Sequence, residues 1–190
     1  MNKPMGFKAA RIQLWRIMWF SALSTIVFVT GRAQQTGGFT TIVIVRHAEK
    51  DSTGVNPGLT ERGMERAQSL ARVLNGLDIT AIYVTQYLRT LQTAQPAARL
   101  HRVTPTAIDV DLSNPQRYAR LLADTILQRN KGQTILVSNH SNIIPFLIEA
   151  LGANNPGTID DRTYDNLFIV IRDSSGAAKG FRLTYGSPSD

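Results

Sequence analysis

The sequence predicts an α/β fold: a three-layer α/β/α sandwich with a mainly parallel sheet and an antiparallel hairpin at one sheet edge. Three observations predict it. Short β-branched runs alternate with longer segments of helical periodicity over most of the chain, which is the pattern of strands joined by crossover helices. Several runs, such as Thr41-Ile42-Val43-Ile44-Val45, are short, apolar and β-branched and read as buried strands. Near the end, two strand-like runs flank the turn Asp173-Ser174-Ser175-Gly176, as in a hairpin.

Each element follows from local chemistry. The first strand covers residues 41–45. Asn56-Pro57-Gly58 is a turn, and Thr60 caps a helix. Met64, Ala67, Leu70, Ala71, Val73 and Leu74 recur at helical spacing before Gly76. Ala81 to Val84 is a strand, followed by a brief turn and a helix that opens near Leu88 and ends at Leu100. Thr106, Ile108 and Val110 mark a strand over residues 104–110. Asn114-Pro115 opens a helix carrying Tyr118, Leu121, Leu122, Ile126 and Leu127, with Pro at its first position. Residues 134–139 form the next strand. Ser141 and Asn142 begin a helix that tolerates Pro145 in its first turn and ends near Leu151, capped by Gly152. Asn154 to Gly157 is a loop, and the hairpin strands run from Leu167 to Ile171 and from Phe181 to Tyr185.

Domain organisation is simple. At 190 residues the chain holds one domain with a sizeable core. Residues 1–33 carry Lys3, Lys8, Arg11, Arg16 and Arg32 without an acidic residue, around the fourteen uncharged residues 17–30. Gly31-Arg32-Ala33 then reads as small-x-small. This is the layout of a secretory signal peptide, with an uncleaved membrane anchor as the alternative. The apolar stretch is shorter than the roughly 17–25 residues of a spanning helix. The expectation is a secreted, periplasmic protein cleaved near Ala33, a flexible lead-in over 34–40, and one domain over 41–190. A membrane enters only if the leader stays.

The leader also explains the charge. The whole chain has 21 basic and 14 acidic residues, for a net +7. Removing the leader's five basic residues leaves 16 against 14, so the basic balance is no argument for a nucleic-acid partner. With no cysteine, neither a disulfide nor a lipidated Cys is possible.

The residues with chemistry to offer stand at strand ends. Arg46-His47-Ala48-Glu49 follows the first strand directly, and ligands bind at the carboxyl edge of open α/β sheets. Two cationic-capable side chains emerging there make an anion site, with phosphate the favoured anion. Arg89 lies in the first helical turn after the next strand, and His140 ends the strand 134–139. Alone, each has a bland reading. An isolated His at a strand end is usually an ordinary partly buried side chain, and Arg62, Arg66, Arg72, Arg117 and Arg120 read as surface ion-pair formers. His101, behind Arg99-Leu100, is read as a surface histidine. The shared position past strand ends separates Arg46, His47, Arg89 and His140 from these. No metal is expected, because zinc wants three or four His, Cys or carboxylate ligands. Three histidines beside arginines do not supply them.

These pieces resemble the histidine phosphatase superfamily, which includes phosphoglycerate mutases, acid phosphatases and phosphohistidine phosphatases. The matching segments are Arg46-His47-Ala48-Glu49, Leu59-Thr60-Glu61-Arg62-Gly63, Leu88-Arg89-Thr90 with Gln92-Thr93-Ala94, and His140-Ser141-Asn142. They occur in the family's order, and the resemblance runs from about Ile42 to Gly186. Ala48 and Asn139 replace glycines that are commoner at those positions, without loss of a charged group. The resemblance implies a phosphatase, acting on phosphomonoesters or phosphoramidates without metal or other cofactor. His47 would be the nucleophile that forms a covalent phosphohistidine. His140 would be the second catalytic histidine, and Arg46 and Arg89 would bind the phosphate. A small or protein-borne phosphorylated substrate would be the partner. Two alternatives are a non-catalytic phosphate-binding module and a phosphomutase. The general acid stays open among Asp109, Asp111, Glu49 or none. With no long insertion between the Arg89 helix and the His140 strand, the site is expected to be open.

Overall fold

The computed structural model of the chain describes residues 38–189. The leader expected over residues 1–33, and most of the lead-in, lie outside the described residues. Within them the elements are β1 (Thr40–Arg46), α1 (Glu61–Leu74), β2 (Ile79–Val84), α2 (Leu88–His101), β3 (Thr106–Ala107), α3 (Pro115–Arg129), β4 (Thr134–Asn139), α4 (Ile144–Ala150), β5 (Asn166–Arg172) and β6 (Ala178–Thr184).

The six strands form one sheet in the order β3-β2-β4-β1-β5-β6. β1, β2, β3 and β4 are mutually parallel where they pair. β5 runs antiparallel to both β1 and β6, so the hairpin closes one edge. Side chains of β1 alternate between the faces, as a strand requires. Ile42 and Ile44 pack with Tyr118, Leu122 and Ile126 of α3 and with Ile144 and Leu147 of α4. Val43 and Val45 pack with Leu70 and Leu74 of α1 and with Ala94 and Ala97 of α2. Helices therefore cover both faces, giving the α/β/α sandwich.

Several boundaries differ from expectation for identifiable reasons. The strand expected over 104–110 shrinks to two exposed residues. Pro105 has no N–H to donate, and the Gln86 side chain takes both the N–H and the carbonyl of Val110, replacing ladder partners. β6 starts three residues earlier than expected, because Asp173 accepts from the N–H groups of Ser175 and Ala177 and pairs Arg172 opposite Ala178. Residues 141–143 form a turn rather than the start of a helix, and α4 begins at Ile144. Gly152, with φ of 94°, ends it as expected. On α1, Met64 and Val73 are exposed, although their spacing suggested an inward position. The buried stripe is Gly63, Arg66, Ala67, Leu70, Ala71 and Leu74. Leu121 of α3 is exposed as well.

Candidate active site

The parallel register between β1 and β4 builds the site. Arg46 lies opposite Asn139, so the next residues, His47 and His140, emerge side by side. The His47 N–H donates to the Asn139 carbonyl at 2.8 Å, which locks the two strand ends together. The imidazole rings stand edge to face, with centroids 5.4 Å apart. Both are buried, at 4% and 5% exposure.

Each ring is oriented by a neighbour. His47 Nδ1 lies 2.8 Å from the Ala48 carbonyl. A carbonyl only accepts, so the proton sits on Nδ1 and Nε2 keeps its lone pair. His140 Nε2 lies 3.2 Å from Thr85 Oγ1, itself paired with Thr90 Oγ1 at 2.9 Å. The Tyr87 ring packs edge-on against His140, with centroids 5.4 Å apart. Burial holds the His47 pKa down to about 3, and the charges of Arg46 and Arg89 reinforce it against the raising effect of the Ala48 hydrogen bond. Burial likewise brings His140 to about 3, with His47, Arg89 and Arg46 adding to the effect. Both rings are therefore neutral at ordinary pH.

The arginines complete the cluster. Arg46 is held by the carbonyls of Asp160 and Thr163, both accepting from Nη1 at 3.2 and 3.3 Å. Its guanidinium lies 4.2 Å from the centroid of the Tyr164 ring. Arg89 sits over Tyr87 at 4.1 Å. In both arginines Nε is buried without a hydrogen-bond partner. Buried unpaired donors are costly, and burial pushes both guanidinium pKa values down. An oxyanion between them would satisfy the donors and relieve the desolvated charge. Arg46, His47, Arg89 and His140 thus gather at one edge of the sheet, within electrostatic reach of one another. His101 sits at the opposite end of α2 from Arg89 and is half-buried rather than exposed.

Other motif residues hold this cluster in place. Thr93 accepts from the Ala48 N–H and donates to the Arg89 carbonyl, both at 2.8 Å, tying the segments that carry His47 and Arg89 together. Gln92 accepts from the Leu59 N–H at 2.7 Å, and Asn56 from the Leu88 N–H at 3.0 Å. Thr60 caps α1 by accepting from the Gly63 N–H, and its own N–H donates to the Glu49 carbonyl. A Cβ on Gly63 would meet that same carbonyl oxygen at 2.2 Å. Only glycine allows α1 to approach the His47 loop so closely.

Glu49 does not face the histidines as a proton donor. Its carboxylate is held by Arg66 Nε and Nη2, and Arg62 Nε lies 3.3 Å away. Burial alone would raise its pKa, but hydrogen bonds and charge from Arg66 and Arg62 bring it below the usual carboxylate range. Asp109 is exposed, and the exposed Asp111 turns to the Ser113 N–H and hydroxyl in the turn before α3. Arg66 overturns its reading as a surface ion-pair former: it is 3% exposed and also donates to the carbonyls of Tyr185 and Ser187. The missed signal was its place on the inward stripe with Gly63, Leu70 and Leu74. Tyr164 and Asp161 were missed too, and no local pattern marks them. They reach Arg46 from more than a hundred residues away in sequence. Among the described residues no three His, Asp or Glu side chains gather as a metal site.

The histidine phosphatase superfamily (branch 1) family model matches residues 42–114, which includes Arg46, His47 and Arg89. His140 lies beyond the match and joins it through the register of β1 and β4. No curated protein matches the chain. Among solved structures, the protein histidine phosphatase SixA complexed with tungstate is similar at 19% identity and a TM-score of 0.55, over 76% of this chain and 96% of its own. Phosphoserine phosphatase from Entamoeba histolytica, in complex with 3-phosphoglyceric acid, aligns at 18% identity and a TM-score of 0.56, over 78% of this chain and 97% of its own. YhfR of Bacillus stearothermophilus aligns at 19% identity and a TM-score of 0.59, over 73% and 94%. At these identities the likeness is one of fold.

Proposed function

We propose that this chain, which belongs to the histidine phosphatase superfamily, hydrolyses phosphomonoesters or phosphoramidates through a covalent phosphohistidine on His47. The observation that carries this reading is the pairing of a neutral nucleophile with orphaned cationic donors. Nδ1 of His47 is turned to the Ala48 carbonyl, leaving Nε2 with its lone pair, and two buried arginine Nε atoms lack partners. Simple anion capture would need the arginines and backbone amides alone. A neutral imidazole beside them adds a nucleophile.

In the reaction, Arg46 and Arg89 hold the equatorial oxygens of the phosphoryl group. Positioning and charge neutralisation are most of what phosphoryl transfer requires, and the planar guanidinium fork binds oxyanions bidentately. His47 Nε2 forms the bond to phosphorus as the leaving-group oxygen departs. His140 packs beside His47 at the transferring group, with its Nε2 held by Thr85. Water then attacks phosphorus, the N–P bond breaks, and phosphate is released. The arginines supply the charge that a divalent cation supplies in other phosphoryl-transfer sites, so the activity is metal-independent in this reading. The tungstate in the SixA structure is an oxyanion of the same shape as phosphate, which supports an oxyanion site in this fold. Hydrolysis is favoured over mutase action because only the short β3 and α3 intervene between α2 and β4. A mutase must enclose and reorient its intermediate.

The basic, apolar and small-x-small order of residues 1–33 supports export, with the enzyme meeting small or protein-borne phosphorylated substrates outside the cytoplasm. Mass spectrometry of the protein from its native cell tests this: a terminus just after Ala33 is expected, and Met1 with cytosolic recovery would overturn it. For the activity, hydrolysis of a generic phosphomonoester in EDTA is compared between wild type and His47→Ala. Loss in the variant is expected, and equal activity would sink the assignment.

A further inference from the structure

The geometry points to Asp161 as the general acid that protonates the leaving group, and as the base for the water that follows. This rests on the phosphatase reading above and identifies a proton carrier that the sequence does not reveal. Asp161 Oδ1 accepts from the hydroxyl of Ser141, the residue after His140, at 2.7 Å. The same atom lies 3.6 Å from Arg46 Nη2, too far for a hydrogen bond. Since Nη1 is taken by the Asp160 and Thr163 carbonyls, the Nε–Nη2 edge is the one left for an oxyanion. The Asp161 carboxyl therefore stands at the rim of the phosphate position.

Unlike Glu49, Asp161 is not locked in place by its arginine. The carboxylate of Glu49, whose role is structural, is 14% exposed and gripped through both oxygens by Arg66. The Asp161 side chain is 85% exposed and only loosely paired. With Oδ1 held by Ser141, Oδ2 is available to carry a proton. A cavity of about 540 Å³ opens beside it, lined by Ser141, Asn142, Phe146, Ile159, Asp160 and Asp161 among others. It is a natural berth for a leaving group attached to a phosphate held by Arg46. Glu49, Asp109 and Asp111 each have other engagements or positions, as described above.

The step balances without a further reactant. His47 Nε2 gives its lone pair to phosphorus while the P–O bond to the leaving group breaks. The electron pair goes to the departing oxygen, which takes the proton from the Asp161 carboxylic acid. The resulting carboxylate removes a proton from water as the water oxygen bonds to phosphorus. The N–P electron pair returns to Nε2, and Asp161 is again an acid.

A general acid matters in proportion to how poor the leaving group is, which gives a readout that a positioning role would not move. Single-turnover release of the leaving group is measured for Asp161→Asn across a series from p-nitrophenyl phosphate to simple alkyl phosphates. Asp111→Asn serves as a control. The expected loss is about 100-fold or more for alkyl phosphates and under about 10-fold for p-nitrophenyl phosphate. In addition, the labelled phosphoenzyme formed from the aryl ester should persist longer than in wild type. Equal losses along the series, or none, would overturn the assignment. Thermal unfolding of the variant shows whether it folds. Should it not, Ser141→Ala supplies the same series, with a smaller but still leaving-group-dependent loss expected. If His47→Ala retains wild-type activity, the phosphatase reading itself fails, whatever Asp161 does.

Discussion

Arg66 grips both carboxylate oxygens of Glu49, with Nη2 donating at 2.7 Å and Nε at 2.9 Å. The same guanidinium reaches the carbonyls of Tyr185 and Ser187. It thereby joins three segments: the loop behind His47, the helix α1, and the chain after β6. His47 is thus mounted on a loop that is itself anchored from behind.

Replacing Arg66 with Met should leave the Glu49 charge half-buried with a weaker partner. Removing one member of a buried pair costs about 3 kcal/mol or more, so the midpoint of thermal unfolding should fall by roughly 6–12 °C for a domain of this size. A calorimetric scan of the variant measures it. An unchanged midpoint would show that the anchor carries no stability.

Gly63→Ala should disturb the site from a distance. The added methyl would press on the Glu49 carbonyl oxygen, 2.2 Å from an ideal Cβ. Either α1 or the His47 loop must retreat. Overpacking of this kind costs about 1–3 kcal/mol, and displacing the loop should lower kcat/KM by at least about tenfold, since reaction rates are sensitive to shifts of that size. Gln68→Ala, on the exposed side of the same helix, provides the comparison. Full activity in Gly63→Ala would mean the loop position is not critical.

Stability should depend on pH in a definite direction. Burial brings His47 and His140 to about 3 in the folded chain, against an unfolded value near 6.5. As pH falls through about 6.5 the unfolded state takes up these protons first, so stability is complete above that pH and declines steadily towards about pH 3. His140→Gln removes one of the two groups and should flatten the decline. Unfolding midpoints between pH 7 and pH 4 measure it, and parallel slopes for variant and wild type would contradict the argument.

Arg89→Lys keeps the charge but replaces a planar fork with a point donor. A lost charge-assisted hydrogen bond is worth about 1.5–3 kcal/mol, so kcat/KM should drop by about ten- to a hundredfold. Inhibition by vanadate should weaken in parallel. Unchanged vanadate affinity would separate Arg89 from the oxyanion.

Much of this was legible in the sequence because it is local. The alternation of strands and helices, the hairpin turn at Asp173, and the strand-end positions of Arg46, His47 and His140 follow from neighbours in the chain. What escaped was set by distant partners. The third strand lost most of its length because Gln86 supplies hydrogen bonds to Val110. Met64 looked like a core residue, and the inward place went instead to Arg66, because Glu49 awaited it there. Tyr164 stacks on Arg46 and Asp161 flanks it, on a loop whose own sequence carries no sign of the site.

In the proposed reaction His47 carries the phosphoryl group, and trapping the phosphoenzyme is the sharpest check on that role. The protein is mixed with a ³²P-labelled phosphomonoester, quenched in alkali within milliseconds, and mapped by peptide. A short-lived label, stable to base and labile to acid, is expected on the peptide containing His47 and absent in His47→Ala. Hydrolysis at wild-type rates with no label on that peptide, or with label on another residue, would contradict it.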